Sequence, residues 1–182
     1  MLADLSLSLL DIAQNSVAAD ARNIGIAVKS DAAGDTLTLR VTDDGRGMSE
    51  AFASAVTSPF VTTRATRKVG LGIPMFKAGA EMTGGRFELT TAPGEGTTVT
   101  AVYGLSHIDR PPLGDIADTF ASLVLTCPGV EFTLEVAGPG GEFTVGTAEL
   151  KRILGGVPVG SPEVIAWLRE YARGGVASTG VR

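Results

Sequence analysis

Residues 36–48 read TLTLRVTDDGRGM. From Thr36 to Thr42 polar and apolar side chains alternate, the period of a strand with one buried face. The strand runs straight into Asp43-Asp44-Gly45-Arg46-Gly47, a turn-forming stretch with two glycines. Upstream, Asn23 to Lys29 (NIGIAVK) alternates in the same way, and Asp31-Ala32-Ala33-Gly34-Asp35 lies between the two, so they predict a hairpin. Before the hairpin, Leu5, Leu9, Leu10, Ile12, Ala13, Val17 and Ala21 recur near a 3.6-residue period and predict a helix over 5–21. After it, the Ser49 hydroxyl can accept from exposed first-turn amides and so cap a short helix through about Ala55. Residues 58–70 (SPFVTTRATRKVG) are polar and basic without sustained periodicity and read as a loop. Helical spacing resumes over 71–82, with Ile73, Met75, Ala78 and Met82 on one face, and Gly84-Gly85 ends it. Phe87 to Thr91 and Thr97 to Tyr103 form a second alternating pair. The order helix, hairpin, helix, helix, hairpin predicts a two-layer α/β sandwich: a largely antiparallel mixed sheet with helices on one face.

The character changes at His107-Ile108-Asp109-Arg110-Pro111-Pro112, which divides the chain into 1–106 and a small α/β C-terminal extension, 107–182. The extension predicts a helix (Ile116 to Leu125), a hairpin (Val130 to Val136 and Glu142 to Val145, across Gly138-Pro139-Gly140-Gly141) and two short helices. The last helix, Pro162 to Arg173, has Pro in its first turn and Gly174-Gly175 after its end. A separate subdomain and an extension of the first sheet are both compatible with this pattern.

Composition narrows the class. The chain has 182 residues, 44% of them apolar and 19% charged, enough to bury a core and too apolar for intrinsic disorder. Apolar runs stop short of the ~18–20 residues that cross a bilayer, and no basic n-region follows Met1, so no membrane and no secretory signal are expected. A net charge of −5 argues against a nucleic-acid partner held through phosphates. One cysteine, Cys127, allows no intramolecular disulfide and fits a reducing cytoplasm.

Three clusters carry chemistry. Asp11 and Asn15, in Asp11-Ile12-Ala13-Gln14-Asn15, are one helical turn apart and share a face. An amide oxygen suits Mg²⁺, which keeps waters and shares itself with substrate phosphates, and a carboxylate one turn away could orient or deprotonate a nucleophile beside it. On its own this pair specifies little. The second cluster is Asp43-Asp44-Gly45-Arg46-Gly47-Met48, where a carboxylate at a strand end can accept from an exocyclic amine such as that of adenine, and the glycines permit close backbone approach. The third runs from Thr62-Thr63-Arg64 through Arg67-Lys68 to Gly70-Leu71-Gly72-Ile73. There a glycine-rich helix start offers free amides and a favourable dipole to an anion, and three cations surround it. Phosphate is the natural guest, although neither a Walker A nor a Rossmann fingerprint occurs.

The ordered set DIAQN, DDGRG, VGLGI and GEGTT resembles the GHKL superfamily of ATP-binding domains, over about residues 5–104. The resemblance implies the Bergerat fold, binding Mg-ATP beneath a lid. It implies that Asn15 holds Mg²⁺, that Asp43 reads the adenine amine with Gly45 and Gly47 shaping the pocket, and that Thr97 sits near Asp43. Residues 58–70 then correspond to the lid, with Thr63, Arg64 and Lys68 in it, and Gly70, Leu71 and Gly72 to the phosphate contacts. Where hydrolysing members commonly carry glutamate four residues before the asparagine, this chain has Asp11, the expected catalytic base. The shorter arm falls about a methylene short, and ~1 Å of misplacement can cost on the order of 100-fold.

The short lid and the ending GGRFELTTAPGEGTTVTAVY resemble the histidine-kinase and anti-sigma-factor branches. Only ten residues precede Asp11, from which we expect no dimerising hairpin before it, and the one histidine, His107, reads as a linker residue. Three activities fit: a kinase acting in trans on a protein phosphoacceptor, an ATP-gated protein-binding switch, and a slow ATPase. The first is the expectation. The oligomeric state is open.

Overall fold

A computed structural model of the chain describes residues 4–57 and 72–182. Six strands form one sheet in the order β3-β4-β2-β1-β5-β6: β1 (Asn23–Asp31), β2 (Thr36–Asp43), β3 (Arg86–Ala92), β4 (Gly96–Gly104), β5 (Glu131–Gly138) and β6 (Gly141–Gly146). All neighbours are antiparallel except β5, which adds parallel to β1 with Ile24 opposite Phe132 and Val28 opposite Val136. The alternation that marked the strands decides which side chains go inward: Ile24, Ile26 and Val28, Leu37, Leu39 and Val41, and Phe132, Leu134 and Val136 are all buried.

The helices covering that face are α1 (Leu5–Ala18), α3 (Gly72–Met82), α4 (Ile116–Thr126) and α6 (Pro162–Thr179), laid side by side as α3-α1-α4-α6. Two short helices, α2 (Glu50–Val56) and α5 (Thr147–Leu154), pack beside β3 and β5. Ser49 caps α2, its hydroxyl accepting from the Phe52 amide at 3.4 Å. One buried cluster runs through both parts of the chain, from Leu5 and Leu9 to Ile165 and Leu168. The 107–112 stretch therefore interrupts the sequence pattern but not the sheet. It leads back to the start of α1, where Leu5 and Ser6 amides donate to the Pro112 and Leu113 carbonyls, both at 2.9 Å.

Two helix ends differ from expectation. The first helix stops at Ala18 rather than Ala21, because Asp20 takes a left-handed φ of 61° and the Ala21 and Asp20 amides donate back to the Ser16 and Val17 carbonyls. That is a Schellman closure with aspartate in glycine's usual place. The last helix does not stop at Arg173. It runs through Gly174-Gly175 to Thr179 and is capped by left-handed Gly180. Gly175 is required by packing rather than termination: a Cβ there would lie 2.2 Å from the Phe143 ring.

Candidate functional site

The two aspartates at the end of β2 have different work. Asp44 turns outward and ties β1 down: its Oδ1 accepts from the Arg22 and Asn23 amides at 2.7 and 2.9 Å, and its Oδ2 from the Asn23 side-chain amide at 2.7 Å. These bonds, the Asn23 side chain's first, hold its carboxyl below the usual carboxylate range. Asp43 is half-buried between β4 and α1. Its Oδ1 accepts from the Gly45 amide at 2.9 Å and the Thr97 amide at 3.1 Å, and its Oδ2 takes a short hydrogen bond from the Ser16 hydroxyl. A carboxylate offers about four acceptor positions. Among the described residues three are taken, which leaves one for an exocyclic amine.

The DDGRG loop is fastened from both sides. Arg46 closes the end of α1, its amide donating to the Ala19 carbonyl at 2.9 Å, its guanidinium to the Ala18 carbonyl at 3.0 Å and to Asp20 at 3.2 Å. The β3–β4 turn then closes over the loop: Gly94 donates to the Arg46 carbonyl at 2.8 Å, and the Met48 amide to Thr91 Oγ1 at 3.0 Å. Thr91 gives its own proton to the Gly96 carbonyl, so at the 3.1 Å contact between the two hydroxyls Thr97 is the donor. The loop's glycines answer to the protein's own backbone. A Cβ at Gly45 would lie 2.8 Å from the Ala19 carbonyl oxygen. Gly47, at φ 63°, would overlap the Ala92 carbonyl oxygen at 1.9 Å. Their close approaches are to α1 and β3, and they shape the site by letting the loop seat against those elements.

Asp11 and Asn15 stand one turn apart on α1, both half-buried, as the spacing requires. Gly72, first residue of α3, faces them: a Cβ on it would lie 3.5 Å from Asp11 Cβ, 3.9 Å from Asp11 Oδ2 and 3.9 Å from Asn15 Nδ2. The start of α3 thus meets a carboxylate and a carboxamide from α1. Hard oxygen donors beside a helix N-terminus fit a Mg²⁺ ion shared with phosphate oxygens, since Mg²⁺ takes one or two protein ligands and keeps the rest for water and phosphate. Among the described residues, no group of three or more His, Cys, Asp or Glu stands together as an all-protein cage. Thr63, Arg64, Lys68, Gly70 and Leu71 lie outside the described residues.

The structure thus brings Asp11, Asn15 and Gly72 together around α1, and Asp43, Gly45, Gly47 and Thr97 around the end of β2, with Ser16 of α1 joining the two groups through Asp43. Ser16 and Thr91 were not singled out from the sequence. The signal for Ser16 was its place directly after Asn15, and for Thr91 its pairing opposite Thr97 across the hairpin.

A family model described as histidine kinase-, DNA gyrase B- and HSP90-like ATPase matches residues 3–107. The chain is 29% identical over 111 residues to the non-motile and phage-resistance protein of Caulobacter vibrioides, covering 56% of this chain and 13% of that protein. It is 27% identical over 110 residues to the sensor histidine kinase ZraS of Escherichia coli, covering 60% of this chain and 23% of that protein. The chain therefore spans less than a quarter of the length of either relative. Among solved structures, the N-terminal domain of a DNA repair protein superposes with a TM-score of 0.53 at 15% identity, over 79% of this chain and 52% of that one. The Aquifex aeolicus MutL ATPase domain complexed with ADP gives 0.50 at 14% identity, over 75% and 61%. At these identities the two structures show the fold.

Proposed function

Since the chain belongs to the histidine kinase-, DNA gyrase B- and HSP90-like ATPase family, we propose that it binds Mg-ATP and acts as a regulatory kinase that phosphorylates a partner protein in trans. The observation that carries this reading is the position of Asp43, a half-buried carboxylate aimed by two backbone amides and the Ser16 hydroxyl, with one acceptor position unfilled among the described residues. A base bearing an exocyclic amine satisfies that position, and one lacking it leaves a buried acceptor unpaired, at a cost of ~1–3 kcal/mol. Asn15 would hold the metal and the amides at the start of α3 the phosphates. Asp11, beside Gly72, would take the proton of an incoming hydroxyl or imidazole. A bound nucleotide would supply a transferable phosphoryl group, and a metal held there would neutralise charge upon it.

Geometry also bears on the phosphoacceptor. His107 follows β4 at the pole opposite Asp43, with its Cβ 3.3 Å from where a Gly104 Cβ would stand. From Thr97 to Gly104 the strand covers roughly 23 Å at about 3.3 Å per residue. His107 thus stands far from the base-reading end of the site.

A second reading, an ATP-gated switch without phosphotransfer, is favoured by the tie between α1 and the C-terminal extension at Leu5–Pro112 and Ser6–Leu113. Calorimetric titration with ATP, ADP and GTP, with and without Mg²⁺ and beside Asp43→Asn, tests binding: Mg-dependent ATP binding that ignores GTP and is lost in the variant is expected. Absence of binding by folded protein would refute both readings. Transfer of label from γ-labelled ATP to a protein partner separates kinase from switch.

A further inference from the structure

The sheet ends at β6, a short strand that no Pro, Lys or bulge protects. Its register against β5 is continuous, from Thr133–Gly146 to Gly138–Gly141, so no bulge turns it away. The strand, GEFTVG, holds no Pro and no Lys, and its one charge, Glu142, sits near its start. The opposite edge, β3, is guarded by exposed Arg86 and Glu88 and has α2 beside it. Among the described residues no strand lies beyond β6.

Beside this edge lies an aromatic flank. α6 leans toward α4 with Arg169 and Arg173, which pair with Asp118 at 2.6 Å and Asp115 at 3.1 Å. Its core face carries Val164, Leu168 and Ala172. The flank turned away from α4, toward β6, carries Trp167 and Tyr171, stacked with ring centroids 4.9 Å apart and an interplanar angle of 11°. Phe143 of β6 joins them, its ring 5.5 Å from that of Tyr171. Trp167 is 51% exposed and Tyr171 47%. Nothing in the nucleotide site uses these side chains.

We infer that β6 and this flank of α6 form a homodimer interface, with β6 pairing antiparallel to β6 of a second copy about a two-fold axis normal to the sheet. That axis keeps both helix layers on one side and sets the two α6 flanks next to each other across the seam. Directly opposite residues of an antiparallel pair share a face. Phe143 therefore meets Phe143 or Val145 of the second copy, and Glu142 meets Thr144 or Gly146. In either register no carboxylate faces another, so the like-charge repulsion that would destabilise such a pair is avoided. The half-exposed Trp and Tyr rings contribute roughly 200 Å² per copy at ~150–250 Å² per aromatic side chain. Together the four rings supply about a quarter of a standard interface of ~1,600 Å², with the paired strands and the rest of the α6 flank alongside. An isologous two-fold contact of this kind closes at two copies, leaving no free edge on that side. The interface does not depend on the nucleotide reading.

The test is sedimentation of the full chain over about 1–100 µM, with Thr144→Lys and Trp167→Glu, both exposed positions. The wild type should run at twice the 18.6 kDa chain mass, and each variant should weaken association at least about tenfold while keeping its circular dichroism and melting cooperativity. Trp167 is the chain's one tryptophan, so its emission should shift to the blue as wild type dimerises and stay unshifted in Thr144→Lys. A wild type monomeric across the range would overturn the proposal. So would a dimer that survives both substitutions, or open-ended growth beyond two copies.

Discussion

The adjacent glycines of α6 separate helix propensity from packing. Gly174 and Gly175 both lie inside the helix, where replacing Gly by Ala gains ~0.8–1.0 kcal/mol. At Gly174 a Cβ meets nothing within 4 Å, so Gly174→Ala should stabilise by about that amount and raise Tm by ~2–4 °C in a chain of this size. At Gly175 the new methyl would stand 2.2 Å from Phe143 Cδ2 and Cε2 and 2.5 Å from Cζ, where carbon atoms prefer ~3.5–4.0 Å. The ring must withdraw by more than ~1 Å, an overpacking cost of about 1–3 kcal/mol, and it loses the Tyr171 contact, ~0.5–1.5 kcal/mol. Propensity cancels between the two variants, leaving Gly175→Ala about 1.5–4.5 kcal/mol less stable than Gly174→Ala. Urea unfolding followed by circular dichroism, at one fixed protein concentration, measures the difference. Phe143→Leu added to Gly175→Ala should recover part of it. Two alanine variants agreeing within ~0.5 kcal/mol would refute the argument that Phe143 is why glycine stands at 175.

At the nucleotide site, Gly72→Ala should fold normally, since its methyl would make only ordinary contacts with Asp11 and Asn15, yet titration should show Mg-ATP affinity reduced ~5–150-fold by a methyl worth ~1–3 kcal/mol in the phosphate space. Gly47→Ala should do the opposite kind of damage: a left-handed φ and a 1.9 Å overlap with the Ala92 carbonyl predict a loss of more than ~3 kcal/mol in urea unfolding. On acidification, three carboxylates held below their usual range should release stability. They are Asp44, through Asn23; Glu131, where burial pushes up but the Lys151 and Thr147 hydrogen bonds outweigh it; and Asp115, where burial is outweighed by the Asp118 amide and Arg173. A depressed folded pKa contributes stability that is present above the unfolded value and lost as pH falls through the folded one. The unfolding free energy should therefore decline below about pH 5 and go on falling beneath pH 4, with a shallower slope in Asp44→Asn.

What was legible in the sequence was local. Alternation at 23–29, 36–42, 87–91 and 97–103 located four strands, because each buries one face, and Ser49 announced its helix because capping is decided within three residues. The parallel pairing of β5 with β1 was not legible. Both strands alternate, and nothing in either names a partner more than a hundred residues away. Gly174-Gly175 read as a stop because glycine usually ends helices, and only the Phe143 ring arriving from another strand reveals its purpose. At the site, Asp11 and Asn15 could be put on one face from spacing alone. Spacing alone could not divide the work between Asp43 and Asp44, which only the resemblance assigned, since it depends on which carboxylate faces α1 and which faces the start of β1.

The helix that carries the site also packs on two neighbouring helices and on the centre of the sheet. α1 supplies Asp11, Asn15 and Ser16, and it lies between α3 and α4. Its N-terminus is bonded to the 112–113 strap and its C-terminus is closed by Arg46 of the loop that holds Asp43. A shift of α1 along its axis would strain both ends together, so it is positioned as one rigid piece rather than residue by residue. If a ligand at Asn15 and Asp43 shifts α1, the contact between α1 and α4, the first helix of the extension, is where that shift would be passed on. By linkage the reverse holds with the same free energy: whatever binds the extension and prefers one α1 placement changes nucleotide affinity by the factor by which nucleotide changes its own. In a dimer joined at β6, the seam runs along α6, which packs on α4. The route from the second copy to the nucleotide site is then two helix contacts long, and measuring nucleotide affinity in Trp167→Glu against wild type reads it directly: equal affinities at concentrations where only the wild type is dimeric would show that the seam and the site are energetically independent.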